Sequence, residues 1–136
     1  MANAQTIADI QALTARYAQA ADRRDVAMLL STLTADAEVI MPGSSIKGHE
    51  ALGGIPAILD SMFEQTQHKI FNQTLSINGD RAEGETYCTA SHLRLKEDGS
   101  REVEDWNIRY QDRFVCIDSI WLFEQRELVV DWVEIR

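Results

Sequence analysis

The fold turns on Gln67-His68-Lys69-Ile70-Phe71-Asn72-Gln73-Thr74-Leu75-Ser76-Ile77-Asn78-Gly79. A period of two puts Phe71, Gln73, Leu75 and Ile77 on one face of a strand, and His68, Ile70, Asn72 and Thr74 on the other. Asn78-Gly79 suits the two positive-φ positions of a type I′ turn, so a hairpin follows. The return strand runs from about Arg81 to Lys96, and Glu97-Asp98-Gly99-Ser100 makes the next turn. A third strand covers Arg101 to Cys116, with a turn at Ile117-Asp118-Ser119. The stretch from Ile120 to Ile135 lacks both Gly and Pro. Its polar middle, Glu124-Gln125-Arg126-Glu127, predicts one long strand with a bulge or bend.

Upstream the period is helical. Ile7, Ile10, Leu13 and Tyr17 form one apolar stripe over about 5–21, and Ala18, Ala20 and Ala21 keep its last turn thin. Asp25 is a natural N-cap for a short helix, Val26 to Leu33. Asp36 to Met41 reads as a strand ending at Pro42-Gly43. Gly48 to Gln65 reads as helix, with Pro56 kinking it or lying near its start. Helices first and long strands second define an α+β fold. Its curved antiparallel or mixed sheet wraps the N-terminal helices as a cone with an internal pocket.

A chain of 136 residues predicts one domain, 1–136. Thirteen Lys and Arg against 22 Asp and Glu give a net charge of −9, which argues against partners with phosphate backbones or anionic membranes. The two cysteines, Cys88 and Cys116, read as reduced core residues. The N-terminus has neither a basic nor an apolar signal segment, and no apolar run is long enough for a span. A cytoplasmic location is the expectation.

Few residues carry chemistry. Of three histidines, His49 reads as a solvated first-turn residue. His68 is either a general base or a satisfied, partly buried histidine. His92 shares a face with Cys88 and Ala90 and is a polar handle for an apolar site, or a packed core residue. Asp22 closes the first helix, where the dipole disfavours negative charge by roughly 0.3–1 kcal/mol. It either caps the next helix, with Asp25 at N3, or belongs to a site. Tyr17 is by default core with its hydroxyl bonded, and Trp106 and Trp132 are core or pocket lining. No metal-ligand spacing, phosphate loop or nucleophile elbow is present, so neither metal nor cofactor is expected.

Several segments together resemble a known family. They are Ile10-x-x-Leu13-x-x-x-Tyr17-x-x-x-x-Asp22-x-x-Asp25, the helix from Lys47-Gly48 to Ile58, Gln67-His68-x-x-x-Asn72, and Arg109-Tyr110-x-Asp112-x-Phe114 with Trp121 and Asp131-Trp132-Val133. The pattern resembles the SnoaL-like proteins of the nuclear-transport-factor-like, cystatin-like superfamily, from about residue 5 to 134. It is most similar to the branch with scytalone dehydratase, bile-acid 7α-dehydratase and hexachlorocyclohexane dehydrochlorinase. The resemblance implies an Asp22–His68 dyad, with Tyr17 as a donor beside it. It implies His92 as a second pocket histidine, and Arg126 as a pocket arginine. Asn72, Trp106 and Trp132 complete the expected ligand contacts.

The implied function is a cofactor-free lyase of dehydratase type, or an isomerase, acting on a small, mostly apolar cyclic ligand. The rival is a non-catalytic ligand-binding or assembly module on the same fold. A homodimer or homotrimer is implied as well. Two departures stand out. Ile117-Asp118-Ser119-Ile120 replaces a glycine-containing turn, and a second pair of tyrosines has no counterpart, which argues against scytalone itself as substrate.

Overall fold

The computed structural model describes residues 2–136. The chain runs α1 (Ala2–Asp22), α2 (Val26–Leu30), β1 (Leu33–Met41), β2 (Ser44–Lys47), α3 (His49–Leu52), α4 (Ile55–Met62), β3 (Gln65–Asn78), β4 (Arg81–Leu95), β5 (Arg101–Ile117) and β6 (Ile120–Ile135). Six strands form one curved sheet in the order β2-β1-β6-β5-β4-β3. Among the described residues only β1 and β6 pair in parallel, so the sheet is mixed and the class is α+β. Among the described residues, no helix is long and apolar enough to cross a membrane.

The N-terminal half departs from expectation in four places. Asp25 caps α2, which ends at Leu30 rather than Leu33, and β1 begins three residues earlier than Asp36. Pro42-Gly43 closes a hairpin, Gly43 at φ +80, onto a strand (β2) that the sequence pattern did not reveal. The helix expected over 48–65 is two helices broken at Gly53-Gly54. Pro56 lies in the first turn of α4, where no backbone N–H is required of it.

Bulges set the faces of the long strands. In β3, Ile70 pairs with Cys88 and Gln73 with Thr86, so Phe71 and Asn72 together face Tyr87. The extra residue reverses the alternation. Thr66, His68 and Ile70 therefore share the inward face with Gln73, Leu75 and Ile77, while Phe71 and Asn72 are exposed. The expected pairing of His68 and Asn72 on one face is thus corrected. In β6, Glu124 is extra between Phe123 and Gln125, and Asp131 is extra between Val130 and Trp132. The first lies in the polar middle where a bend was expected.

The inner face closes on α1. Ile10, Leu13 and Tyr17 are buried against Leu29, Phe114 and Phe123, while Ile7 at the helix start stays partly exposed. A second, smaller cluster of Cys88, Ala90, Ile108 and Tyr110 sits further along the sheet.

Candidate active site

Asp22 is freed from the capping role because Asp25 takes it. The Asp25 Oδ1 accepts from the Met28 backbone N–H at 3.0 Å. Asp22 turns instead to β3, where three donors meet its carboxylate. The His68 ring donates from Nδ1 to Oδ1 at 2.7 Å, and the His68 backbone N–H to Oδ2 at 2.9 Å. The Thr66 hydroxyl donates to Oδ1 at 3.0 Å. Thr66 is itself fixed, because its oxygen accepts from Arg24 Nη1 at 2.8 Å. Arg24 stands at φ +55, and its Nη1 also donates to the Ala21 carbonyl at 2.7 Å. Burial pushes the Asp22 carboxyl up. The His68 ring bond, its charge, its backbone N–H and the Thr66 hydroxyl outweigh burial and hold it below the usual carboxylate range.

A carboxylate only accepts, so Nδ1 of His68 carries the proton and Nε2 the lone pair. His68 lines a mostly apolar cavity of about 190 Å³. Tyr17 and Ala21 of α1, Ile58 and Met62 of α4, and Trp106 and Ile108 of β5 are among its walls. The two glycines before α4 leave that helix as a short cover over one side. Ile58 and Met62 line the cavity and are also half exposed.

His92 enters the cavity from β4 with its ring centroid 4.5 Å from Phe63, 4.9 Å from Trp106 and 6.2 Å from His68. Its Nδ1 donates to the Glu104 carbonyl at 3.0 Å, which leaves Nε2 as an acceptor in the neutral ring. Burial pushes the His92 pKa below its usual value. The Glu104 carbonyl opposes that shift and the His68 charge adds to it. His92 is thus an acceptor toward the cavity, not a second donor. Tyr17 lines the same cavity, its phenol pushed up by burial while the Arg126 charge pulls the other way.

The structure therefore gathers Asp22, His68, Tyr17, His92 and Trp106. It leaves out three expected ligand contacts. Asn72 sits in the β3 bulge and faces solvent. Trp132 follows the Asp131 bulge, faces outward at 55% exposure, and bonds Glu134 at 2.8 Å. Arg126 lies fully buried beneath the site, paired with Asp112 at 2.7 Å. His49 is pinned rather than free, its Nε2 2.9 Å from the Leu33 carbonyl oxygen. Thr66, which bonds Asp22, was not anticipated at the site, although its place two positions before His68 on the same face was a usable signal. A larger polar groove of about 510 Å³ lies around Glu83, Glu85 and Glu127 on the outer face and contains no histidine. Among the described residues, no group of three or more His, Cys, Asp or Glu side chains is placed to hold a metal ion.

Comparison with known proteins places the family and the fold. The SnoaL-like domain family model matches residues 2–127. No functionally curated protein matches the chain. Solved structures of similar fold include a hexachlorocyclohexane dehydrochlorinase (LinA) of type 2, with TM-score 0.89 and 20% identity over 98% of this chain and 90% of that one. A provisionally named scytalone dehydratase from Novosphingobium aromaticivorans DSM 12444 has TM-score 0.85 and 21% identity over 97% and 88%. A protein of unknown function with a cystatin-like fold, from Nostoc punctiforme PCC 73102, has TM-score 0.75 and 29% identity over 90% and 89%.

Proposed function

We propose a function for a chain that belongs to the SnoaL-like domain family: a cofactor-free lyase or isomerase that uses His68 as general base and Asp22 as its orienting carboxylate. The observation that carries this reading is the 2.7 Å bond from His68 Nδ1 to Asp22, on a histidine that also lines an apolar cavity. The bond fixes the tautomer, so Nε2 is the base. It removes a proton from a carbon α to a carbonyl. Asp22 stabilises the imidazolium that forms, and the Tyr17 hydroxyl donates to the developing enolate oxygen. Departure of a β-leaving group, which takes the proton back from the imidazolium and leaves as its conjugate acid, completes an elimination. Return of the proton at another carbon completes an isomerisation. The proton moves within one site, so both reactions balance without a cofactor.

The ligand follows from the walls. A cavity of about 190 Å³ is smaller than the roughly 300–1,000 Å³ typical of drug-sized ligand sites, which favours a one- or two-ring molecule. Its surroundings are apolar apart from His68, His92 and Tyr17. The acceptor on His92 suits a ligand hydroxyl, and the phenol suits a ligand carbonyl. Small hydroxylated cyclic ketones meet both demands.

Screening such ketones for elimination or proton migration tests the reading. His68→Ala and Asp22→Asn should each lower turnover by roughly 10²–10⁴-fold, the usual worth of a general base, while the melting transition stays cooperative. Turnover that survives in His68→Ala would sink the dyad. Variants that fail to fold would assign both residues to structure instead.

A further inference from the structure

We infer that Arg24 is a positioning residue for the dyad: it fixes the direction of the Thr66 hydroxyl, which in turn holds the Asp22 carboxylate ionised and aimed at His68. The inference rests on the reading of Asp22 and His68 as the reacting pair. Arg24 stands at φ +55 just past α1, where helices ordinarily end on glycine. An arginine there holds a backbone conformation that disfavours any side chain, yet its side chain turns inward rather than out to solvent. Only 18% of it is exposed. Nη1 donates to the Ala21 carbonyl at 2.7 Å and to Thr66 Oγ1 at 2.8 Å. The first bond ties the guanidinium to the helix end, and the second crosses to β3.

A guanidinium has donors only, so Thr66 Oγ1 must accept from it. The hydroxyl proton is then left for Asp22 Oδ1, at 3.0 Å. Thr66 is 2% exposed, so bulk water does not compete for that proton. A hydroxyl that accepts from a cation also donates more strongly. Without Arg24 nothing fixes the direction of this rotor. Asp22 Oδ1 thus receives two bonds, from Thr66 and from His68 Nδ1, and Oδ2 receives one from the His68 backbone N–H. Three donors set the plane of the carboxylate as well as favouring its charge. Among the described residues Arg24 makes no bond to Asp22 itself. Its charge is partly offset by Asp60 of α4, whose Oδ1 lies 3.7 Å from Nε. The hydroxyl is therefore the route by which Arg24 acts. The titratable groups facing the carboxylate are His68 on β3 and Cys88 on β4, and burial pushes the Cys88 thiol up to about 11, so it stays neutral in acid.

The titration of the Asp22 carboxyl carbon, followed by NMR, tests the inference without any substrate. Thr66→Val should move the midpoint up, because a donor to the charged form is lost. Thr66→Ser keeps the hydroxyl and should leave the midpoint in place. Arg24→Gly suits the backbone at φ +55, so it should fold, and it should move the midpoint the same way by a smaller step. Adding Arg24→Gly to Thr66→Val should move it no further, since the arginine acts through the hydroxyl. With a ketone that turns over, Thr66→Val should lower kcat about tenfold while KM holds, and Thr66→Ser should keep the wild-type rate. A midpoint that stays put in both Thr66→Val and Arg24→Gly overturns the inference. So does an additive double variant, which would mean that Arg24 acts by its charge alone, or a Thr66→Ser variant that shifts as far as Thr66→Val. A wild type that turns over no ketone counts against the lyase reading, and the titration still decides the role of Arg24.

Discussion

At the residue scale, the site is held by two groups whose pKa values move down for opposite reasons. Bonds to its charged form depress Asp22, whereas burial, which favours the neutral ring, depresses His92. A depressed folded value means that the unfolded chain binds more protons, so each group contributes stability that is lost on acidification. The windows differ. Asp22 contributes fully above its unfolded value near 3.8, and that contribution fades as pH falls through its lower folded value. His92 begins to cost stability as pH falls below its unfolded value near 6.5. Melting curves across pH should separate them. The deficit of Asp22→Asn relative to wild type should shrink as pH falls below about 4. His92→Phe should remove part of the wild-type loss between pH 6.5 and 5. A deficit of Asp22→Asn that grows in acid would show that the carboxylate is not the stabilised form.

At the element scale, β-bulges decide what faces the cavity, and they bear on why some of the molecule was legible and some was not. The strand run from Gln67, the Asn78-Gly79 turn with Gly79 at φ +65, and the bend near Glu124 could all be read from local pattern. The Phe71-Asn72 bulge could not, because apolar and polar residues alternate through it without a break. Asn72 was misplaced for that reason, and Trp132 beside the Asp131 bulge was misplaced in the same way. Asp22, His68 and His92 precede any bulge on their own elements; local pattern left each with a capping or core alternative, and it was the resemblance that brought them together. The break of the predicted 48–65 helix had a visible signal in Gly53-Gly54, overridden by the apolar period around it. Gly84 shows how tightly the bend is built. A Cβ there would lie 2.6 Å from Leu75 Cδ2 and 2.8 Å from the Thr74 carbonyl oxygen. The leucine can rotate, but the carbonyl belongs to the β3 backbone. Gly84→Ala should therefore destabilise by about 1–3 kcal/mol in urea titration, by forcing β3 away from β4. An unchanged midpoint would mean that the sheet relaxes there at no cost.

At the scale of the whole molecule, one buried polar chain crosses the sheet and meets the helix. Gln73 Nε2 donates to Thr86 Oγ1 at 2.9 Å, and the Thr86 hydroxyl to Asp112 Oδ2 at 3.2 Å. Asp112 receives Arg126 through Nε at 2.7 Å and Nη2 at 3.1 Å. The guanidinium carbon then lies 3.6 Å from the centre of the Tyr110 ring, 4.2 Å from Phe123 and 4.5 Å from Tyr17. β3, β4, β5, β6 and α1 each supply a member. Burial pushes the Asp112 carboxyl up, and the guanidinium works against that rise.

Such a pair need not be a net source of stability. Desolvating both charges is expensive, and Arg126 Nη1 is buried without a partner. Removing one member leaves the other charged in an apolar interior, so Arg126→Met should cost about 3–5 kcal/mol. Replacing both, as Arg126→Met with Asp112→Leu, removes the uncompensated charge and should recover most of that loss. A double-mutant cycle on unfolding free energies measures the difference directly. Near-complete recovery would mean that the pair is kept for geometry, above all the seating of Tyr17 against the cavity, rather than for stability. A double variant as unstable as the single would instead place the stabilisation in the stack of three rings on the guanidinium, which Met and Leu cannot replace.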